Sequence, residues 1–115
     1  TPPTVDWRVI KYDSDGNLVW NNIIDSGADE GATDVVVDTA GYIYVSGNTW
    51  NTTNADWYTV KYDPEGTIIW QLFYDTGSED VSDGVAVDLA GFVYVTGRTH
   101  NGTNNDFLTI KYEQH

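Results

Sequence analysis

The chain has 115 residues, no cysteine, and 18 acidic against five basic side chains, which gives a net charge of −13 at pH 7. This charge argues against nucleic-acid binding and against docking on anionic membranes, because both depend on clustered Lys and Arg. The lack of cysteine excludes disulfide bonds and cysteine-ligated zinc. No apolar run reaches the length of a membrane span, so we expect no membrane insertion.

The first five residues differ in composition from the rest of the chain. Residues 1–5 are rich in Thr and Pro, which is typical of a linker, and they lack the charged and apolar regions of a signal peptide. We therefore expect the folded unit to cover residues 6–115. We also expect that unit to come from a longer protein.

Short strands and turns account for nearly all of the folded unit. Segments rich in β-branched and aromatic residues alternate with turn-forming Asp, Gly, Ser and Pro. No segment shows a sustained helical period with a cap, so no long helix is predicted. The pattern predicts an all-β fold with nine strands, near residues 6–12, 18–24, 34–38, 42–47, 56–62, 67–74, 84–88, 92–97 and 106–112.

The sequence repeats itself with a period of about fifty residues. Residues 6–55 form a first repeat, residues 56–105 a second, and residues 106–112 begin a third, with about two positions in five identical and no gap. Each full repeat contains four predicted strands. This period and strand number predict antiparallel β-propeller blades, about two of them plus one extra strand.

Equivalent turns recur in the two repeats. Asp13 to Gly16 and Asp63 to Gly66 fit a type I turn that ends in a left-handed glycine. Asp38 and Asp88 close the other hairpin, where we expect their carboxylates to accept hydrogen bonds from turn amides. Tryptophans also recur at matched places, which favours packing between blades over ligand binding: Trp7 with Trp57, and Trp20 with Trp70.

The second repeat matches a known pattern in three parts. Residues 60–70 read VKYDPEGTIIW, residues 75–80 read DTGSED, and residues 85–97 read VAVDLAGFVYVTG. These parts resemble the SBBP-type repeat of seven-bladed bacterial β-propellers, and they are also similar to NHL-type blades. The resemblance implies that residues 34–38 and 42–47 are inner strands, and that residues 56–62 and 67–74 are outer strands. It further implies an extracellular or cell-surface protein without common catalytic residues.

A propeller ring needs at least four blades, and this chain has about two. On the strand assignment above, the chain begins with two outer strands and ends with two inner strands plus one outer strand. Strand exchange between copies could close a ring, as a trimer with about six blades or a tetramer with about eight. The strand at 106–112 duplicates the strand at 6–12, so we expect either that the two compete for one place or that one of them lies elsewhere.

Two acidic segments between the strands are candidates for a metal site. Carboxylates within about ten residues of one another can converge on a hard cation such as Ca²⁺. The alternative is that these segments are ordinary solvated loops. The candidate ligands are Asp25, Asp29, Glu30 and Asp34 in the first repeat, and Asp75, Glu79, Asp80 and Asp83 in the second.

Trp50 and His100 occupy equivalent positions but break the repeat, so they are the candidate ligand-binding residues. No Ser/His/Asp set, phosphate-binding loop or cysteine pair is present, and we therefore predict neither an enzyme nor a cofactor requirement. The predicted function is a non-catalytic scaffold or interaction module with a protein or glycan partner. The alternative is a lectin-like propeller that binds a carbohydrate or another ligand.

Overall fold

The computed structural model describes residues 6–24, 29–50, 55–74, 80–100 and 105–114. These ranges form nine antiparallel strands and contain no helix, which confirms the all-β prediction. No helix that could cross a membrane occurs in them. The predicted linker at residues 1–5 lies outside the described residues. The strands are β1 (Trp7–Tyr12), β2 (Leu18–Ile24), β3 (Asp29–Val37), β4 (Ile43–Trp50), β5 (Ala55–Tyr62), β6 (Ile68–Tyr74), β7 (Asp80–Val87), β8 (Val93–His100) and β9 (Asn105–Tyr112).

The nine strands form three sheets. Sheet A contains β1 and β2, sheet B contains β3, β4, β5 and β6 in that order, and sheet C contains β7, β8 and β9. Sheet B is one four-stranded blade of consecutive antiparallel neighbours. By the repeat, sheet A corresponds to the second half of a blade, and sheet C to a blade without its fourth strand.

Of the two alternatives for the first and last strands, the structure shows the second, in which they lie in different places. β1 pairs with β2 in sheet A, whereas β9 pairs with β8 in sheet C. The two strands therefore have separate places, because each belongs to a different sheet.

Strands β3 and β7 are longer than the sequence predicts. Instead of beginning at residue 34, β3 runs from Asp29, whose cross-strand partner is Trp50. A bulge between Ala32 and Asp34 lets pairing continue through the Gly- and Asp-rich stretch. Part of the predicted acidic loops is therefore strand, since ladder pairing overrides weak local propensity. The affected metal candidates are Asp29, Glu30, Asp34, Asp80 and Asp83.

The turn between β5 and β6 has the predicted geometry. The amide of Gly66 donates to the carbonyl oxygen of Asp63 at 3.0 Å, and Gly66 has a φ of 89°. Residues with a side chain rarely adopt this left-handed backbone conformation, so glycine ends the turn. Gly16 repeats the arrangement between β1 and β2 with a φ of 87°.

Sheets A and B pack face to face around a tryptophan. Trp7 of β1 is fully buried, and its ring meets that of Tyr58 edge-on at 5.1 Å between centroids. The ring also lies over Gly47, where a methyl group would come within 2.7 Å of it. The other buried residues of this A–B junction are Ile43, Val45, Val60 and Tyr62.

Sheets B and C repeat this packing fifty residues later. Trp57 replaces Trp7, and Gly97 replaces Gly47 beneath the ring. The buried residues of the B–C junction are Tyr44, Trp57, Val85, Val93 and Val95. The recurring tryptophans are therefore packing residues between sheets, as the sequence predicts.

Candidate functional site

The inner hairpin of each repeat closes around one aspartate. The Asp38 carboxylate accepts hydrogen bonds from the amides of Ala40 and Tyr42, both at 3.0 Å, and from the Tyr44 hydroxyl at 2.9 Å. Asp88 holds the second hairpin in the same way, with the Tyr94 hydroxyl at 2.8 Å. The predicted turn-capping role of both aspartates is confirmed.

These bonds also set the acidity of the two carboxyls. Burial is the largest influence on Asp38 and favours its neutral form, but the hydrogen bonds from Tyr44, Tyr42 and Ala40 outweigh it and lower the pKa. The Tyr94 hydroxyl is the main cause of the lowered pKa of Asp88. A general acid near neutral pH needs a raised carboxyl pKa. Both groups are instead suited to remain ionised acceptors within their turns.

A cavity of about 320 Å³ lies between these two turns. Sheet B contributes Val37 and Asp38, and sheet C contributes Val87, Asp88 and the fully exposed Leu89. The lining is therefore mixed, with apolar Val37, Val87 and Leu89 beside the polar Asp38 and Asp88 turns.

Polar side chains of sheet B bind backbone amides of sheet C. The Asn48 side-chain oxygen accepts from the buried amide of Ser82 at 2.7 Å. The second oxygen of Asp34 accepts from the amide of Val85 at 3.0 Å. Asp34, a predicted metal ligand, therefore joins two sheets.

Arg98 and Gly84 occupy the next-repeat positions of Asn48 and Asp34. These two bonds are thus specific to the B–C junction. Asn48 was not predicted from the sequence. The signal was the break in an otherwise matched repeat at that position.

The other metal candidates are not gathered around one point in the described structure. Asp83 pairs with Arg98 at 3.5 Å, and both side chains are about half exposed. Asp25, Asp75 and Glu79 lie outside the described residues, as do the side chains of Asp29, Glu30 and Asp80. Among the side chains that are described, no three His, Cys, Asp or Glu residues form a group that could hold a metal. The acidic Ca²⁺ site stays a prediction.

The two predicted ligand-binding residues end equivalent strands. Trp50 closes β4, is exposed, and its ring would lie 3.4 Å from a methyl group on Gly31. His100 closes β8 opposite Asn105, and its side chain is outside the described structure. Ligand binding by either residue stays a prediction.

Recurring lysines form a second feature that the sequence analysis missed. The Lys61 ammonium lies 4.6 Å from the centre of the Tyr42 ring and donates to the Gln114 side-chain oxygen at 2.7 Å. Lys111 lies 4.1 Å above the Phe92 ring. The pairing was visible as a lysine and an aromatic residue that recur together in both repeats. Each pair is a cation–π contact across neighbouring strands.

The architecture resembles that of a known structure. Among solved structures, the chain is similar to a protein of unknown function from Bacteroides caccae, with a TM-score of 0.50 and 14% sequence identity. The alignment covers 87% of this chain and 37% of that one, so this chain spans little more than a third of that protein. At this identity the likeness concerns the fold alone. No curated protein matches the chain.

Residues 71–107 match the family model described as SBBP, Beta-propeller repeat. This segment runs from β6 through β7 and β8 into β9. The seven-bladed ring and the likeness to NHL blades are not part of the match, and both stay predictions. Residues 71–107 therefore carry an SBBP β-propeller repeat, and the four-stranded sheet B and the fifty-residue repeat agree with that match.

Proposed function

We propose that the chain is a non-catalytic scaffold, a β-propeller module that serves interactions at the cell surface or outside the cell. The supporting observation is the use made of its repeated carboxylates. Asp38 and Asp88 each bind turn amides and a tyrosine hydroxyl, and Asp13 and Asp63 cap the other turns. Side chains with these fixed structural bonds contribute to the architecture and are poorly suited to chemistry.

The acidic charge supports an interaction role in an aqueous setting. A net charge of −13 favours solubility and disfavours contacts with other polyanions. The surface cavity between the Asp38 and Asp88 turns combines apolar walls with an ionised rim. Such a surface suits a partner with an apolar contact and a basic group.

The proposal is tested by one measurement on intact cells and two on the purified chain. Antibody labelling of intact cells of the source organism should detect the protein at the surface. Binding to a glycan array should be absent or unaffected by Trp50→Ala. Elemental analysis should find no stoichiometric metal. The melting temperature should be the same with and without a chelator.

Two results would replace the scaffold function. Glycan binding that Trp50→Ala abolishes would support the lectin-like alternative. Stoichiometric metal, with a melting temperature that falls on chelation, would support a metal-dependent function built on the acidic segments.

A further inference from the structure

A slot lies open beside β1. Sheet A has only β1 and β2 within the described chain, whereas sheets B and C begin with an inner hairpin. Two adjoining cavities, of about 320 and 330 Å³, occupy the corresponding space and share Val9, Ile10 and Val35 in their walls. The slot is therefore bounded by the edge of β1 and by the face of sheet B.

The repeat shows what covers this surface when a blade is complete. Val35 and Val37 of β3 are 56% and 57% exposed, whereas Val85, the equivalent of Val35, is 9% exposed. Val85 is covered because it packs against Tyr44 of the preceding inner hairpin. The slot thus has the form that an inner hairpin with an aromatic residue at the Tyr44 position would fill.

We propose that the slot binds the β7–β8 hairpin of a second copy of this chain. This identifies a partner for the scaffold proposed above and rests on that proposal. The B–C junction supports this proposal, because the equivalent β3–β4 hairpin of sheet B packs against sheet C there.

The incoming hairpin has the required face. Val93 and Val95 of β8 face sheet B, so the alternating Tyr94 lies on the opposite face, at the position of Tyr44. The Tyr94 ring on this open face of sheet C is complementary to the apolar walls of the slot.

Docking exchanges one strand for another. Val95 pairs with Ile110 of β9, and the repeat places Ile10 of β1 at the same position. β1 of one copy therefore replaces β9 beside β8 of the other, with the same ladder geometry. Ile10 and Tyr12 are exposed in the single chain, and their equivalents Val60 and Tyr62 are fully buried.

This exchange determines the number of blades that each copy contributes, and it leaves the number of copies at three or four. Each copy contributes sheet B and shares one composite blade with its neighbour, which amounts to two blades per copy. Three copies form six blades and four copies form eight, both within the range of closed propellers.

The first experiment is light scattering coupled to size exclusion over a range of concentrations. The full chain should form a trimer or tetramer, and Val35→Asp should raise the dissociation constant at least about tenfold by placing a charge in the slot. Val35→Thr should weaken assembly less than Val35→Asp. Because threonine is uncharged and close to valine in shape, this variant should also fold if Val35→Asp does not. A monomer at every concentration, or equal assembly of all variants, would overturn the proposal.

The matched control is Val19→Asp. Val19 of β2 is 50% exposed, and its equivalent Ile69 is still 48% exposed although sheet A covers sheet B. Ring closure therefore does not bury this position, and Val19→Asp should leave the assembly unchanged. If Val35→Asp and Val19→Asp weaken assembly equally, the effect comes from the added charge at any position. That result would contradict a defined slot.

Cross-linking then tests the orientation. The chain has no cysteine, so Val35→Cys and Tyr94→Cys can be prepared as separate single-thiol chains. A short bis-maleimide should join them in a mixture, and it should leave either chain alone largely uncoupled. Hydrogen exchange should show β9 losing amide protection and β1 gaining it as concentration rises. A monomer in all these experiments removes the second copy as occupant and leaves the scaffold proposal standing, because surface labelling and glycan binding do not depend on it.

Discussion

The indole nitrogen of Trp7 donates a hydrogen bond to the Tyr62 hydroxyl across the A–B junction, at 3.1 Å between the two atoms. One repeat later the indole nitrogen of Trp57 is buried with no hydrogen-bond partner within the described residues. The two junctions therefore differ in whether the buried indole nitrogen has an acceptor. This difference allows the contact to be measured against an internal reference.

Tyr62→Phe should lower the free energy of unfolding by about 1–3 kcal/mol, because it leaves the buried Trp7 nitrogen without an acceptor. The measurement is urea denaturation followed by tryptophan fluorescence. Tyr112→Phe is the control, since Tyr112 occupies the equivalent position opposite Trp57, whose nitrogen is already unpaired. Equal losses in the two variants would mean that the hydroxyl contributes nothing specific at Tyr62.

Gly47→Ala should destabilise the chain by about 3 kcal/mol, at the upper end of the usual cost of overpacking. A methyl group there would overlap the carbonyl oxygen of Gly31 and lie 2.7 Å from the Trp7 ring. Gly31→Ala is the control, because its methyl group would meet only the Trp50 ring at 3.4 Å. Thermal melting of both variants checks the prediction, and a Gly47→Ala protein as stable as Gly31→Ala would contradict it.

Asn48→Ala should cost about 1–3 kcal/mol, since it leaves the buried amide of Ser82 without its acceptor. Asp34→Ala should cost less, because Asp34 is exposed and its bond to the amide of Val85 is only partly buried. Denaturant titration gives both values. Asp34→Asn keeps a side-chain oxygen in place and should restore most of the smaller loss. The reverse order of the two alanine variants would show that the exposed contact is the stronger of the pair.

Stability should fall in acid because of the hairpin aspartates. The pKa of Asp38 and of Asp88 is lowered in the folded chain. Their contribution to the free energy of unfolding is therefore complete above the unfolded pKa of about 3.9. It is lost as the pH falls through the folded pKa. Double substitution by Asn should flatten this acid dependence. The check is the denaturation midpoint between pH 2 and 7. An unchanged slope in the double variant would assign the acid sensitivity to other carboxyls.

The repeat was sufficient to predict the nine strands, because each recurs with its flanking turn residues. It also predicted the role of Asp38 and Asp88, since a carboxylate before a turn has few other partners. The ends of β3 and β7 were not predictable in this way. Residues 29–33 carry weak strand propensity, and their strand structure depends on pairing with residues 47–50, which lie far along the chain.

The candidate site was predictable only in part. The acidic residues drew attention as possible metal ligands, yet Asp34 binds an amide of the next sheet. A carboxylate has the same local sequence in both roles, and only the position of the neighbouring sheet separates them. Asn48 was overlooked for a related reason, because its partner is the amide of Ser82 in another sheet, 34 residues further along the chain.

Asn48 and Asp34 have a consequence for the order in which the blades assemble. A chain of similar repeats risks joining the wrong neighbours as it folds, since each aromatic face fits more than one partner. The Arg98 side chain cannot accept a hydrogen bond from an amide, and Gly84 has no side chain that could accept one. The two bonds therefore favour the pairing of sheet B with the sheet that follows β6. Repeats that share a fold but only about two positions in five are thus kept in order partly by Asn48 and Asp34.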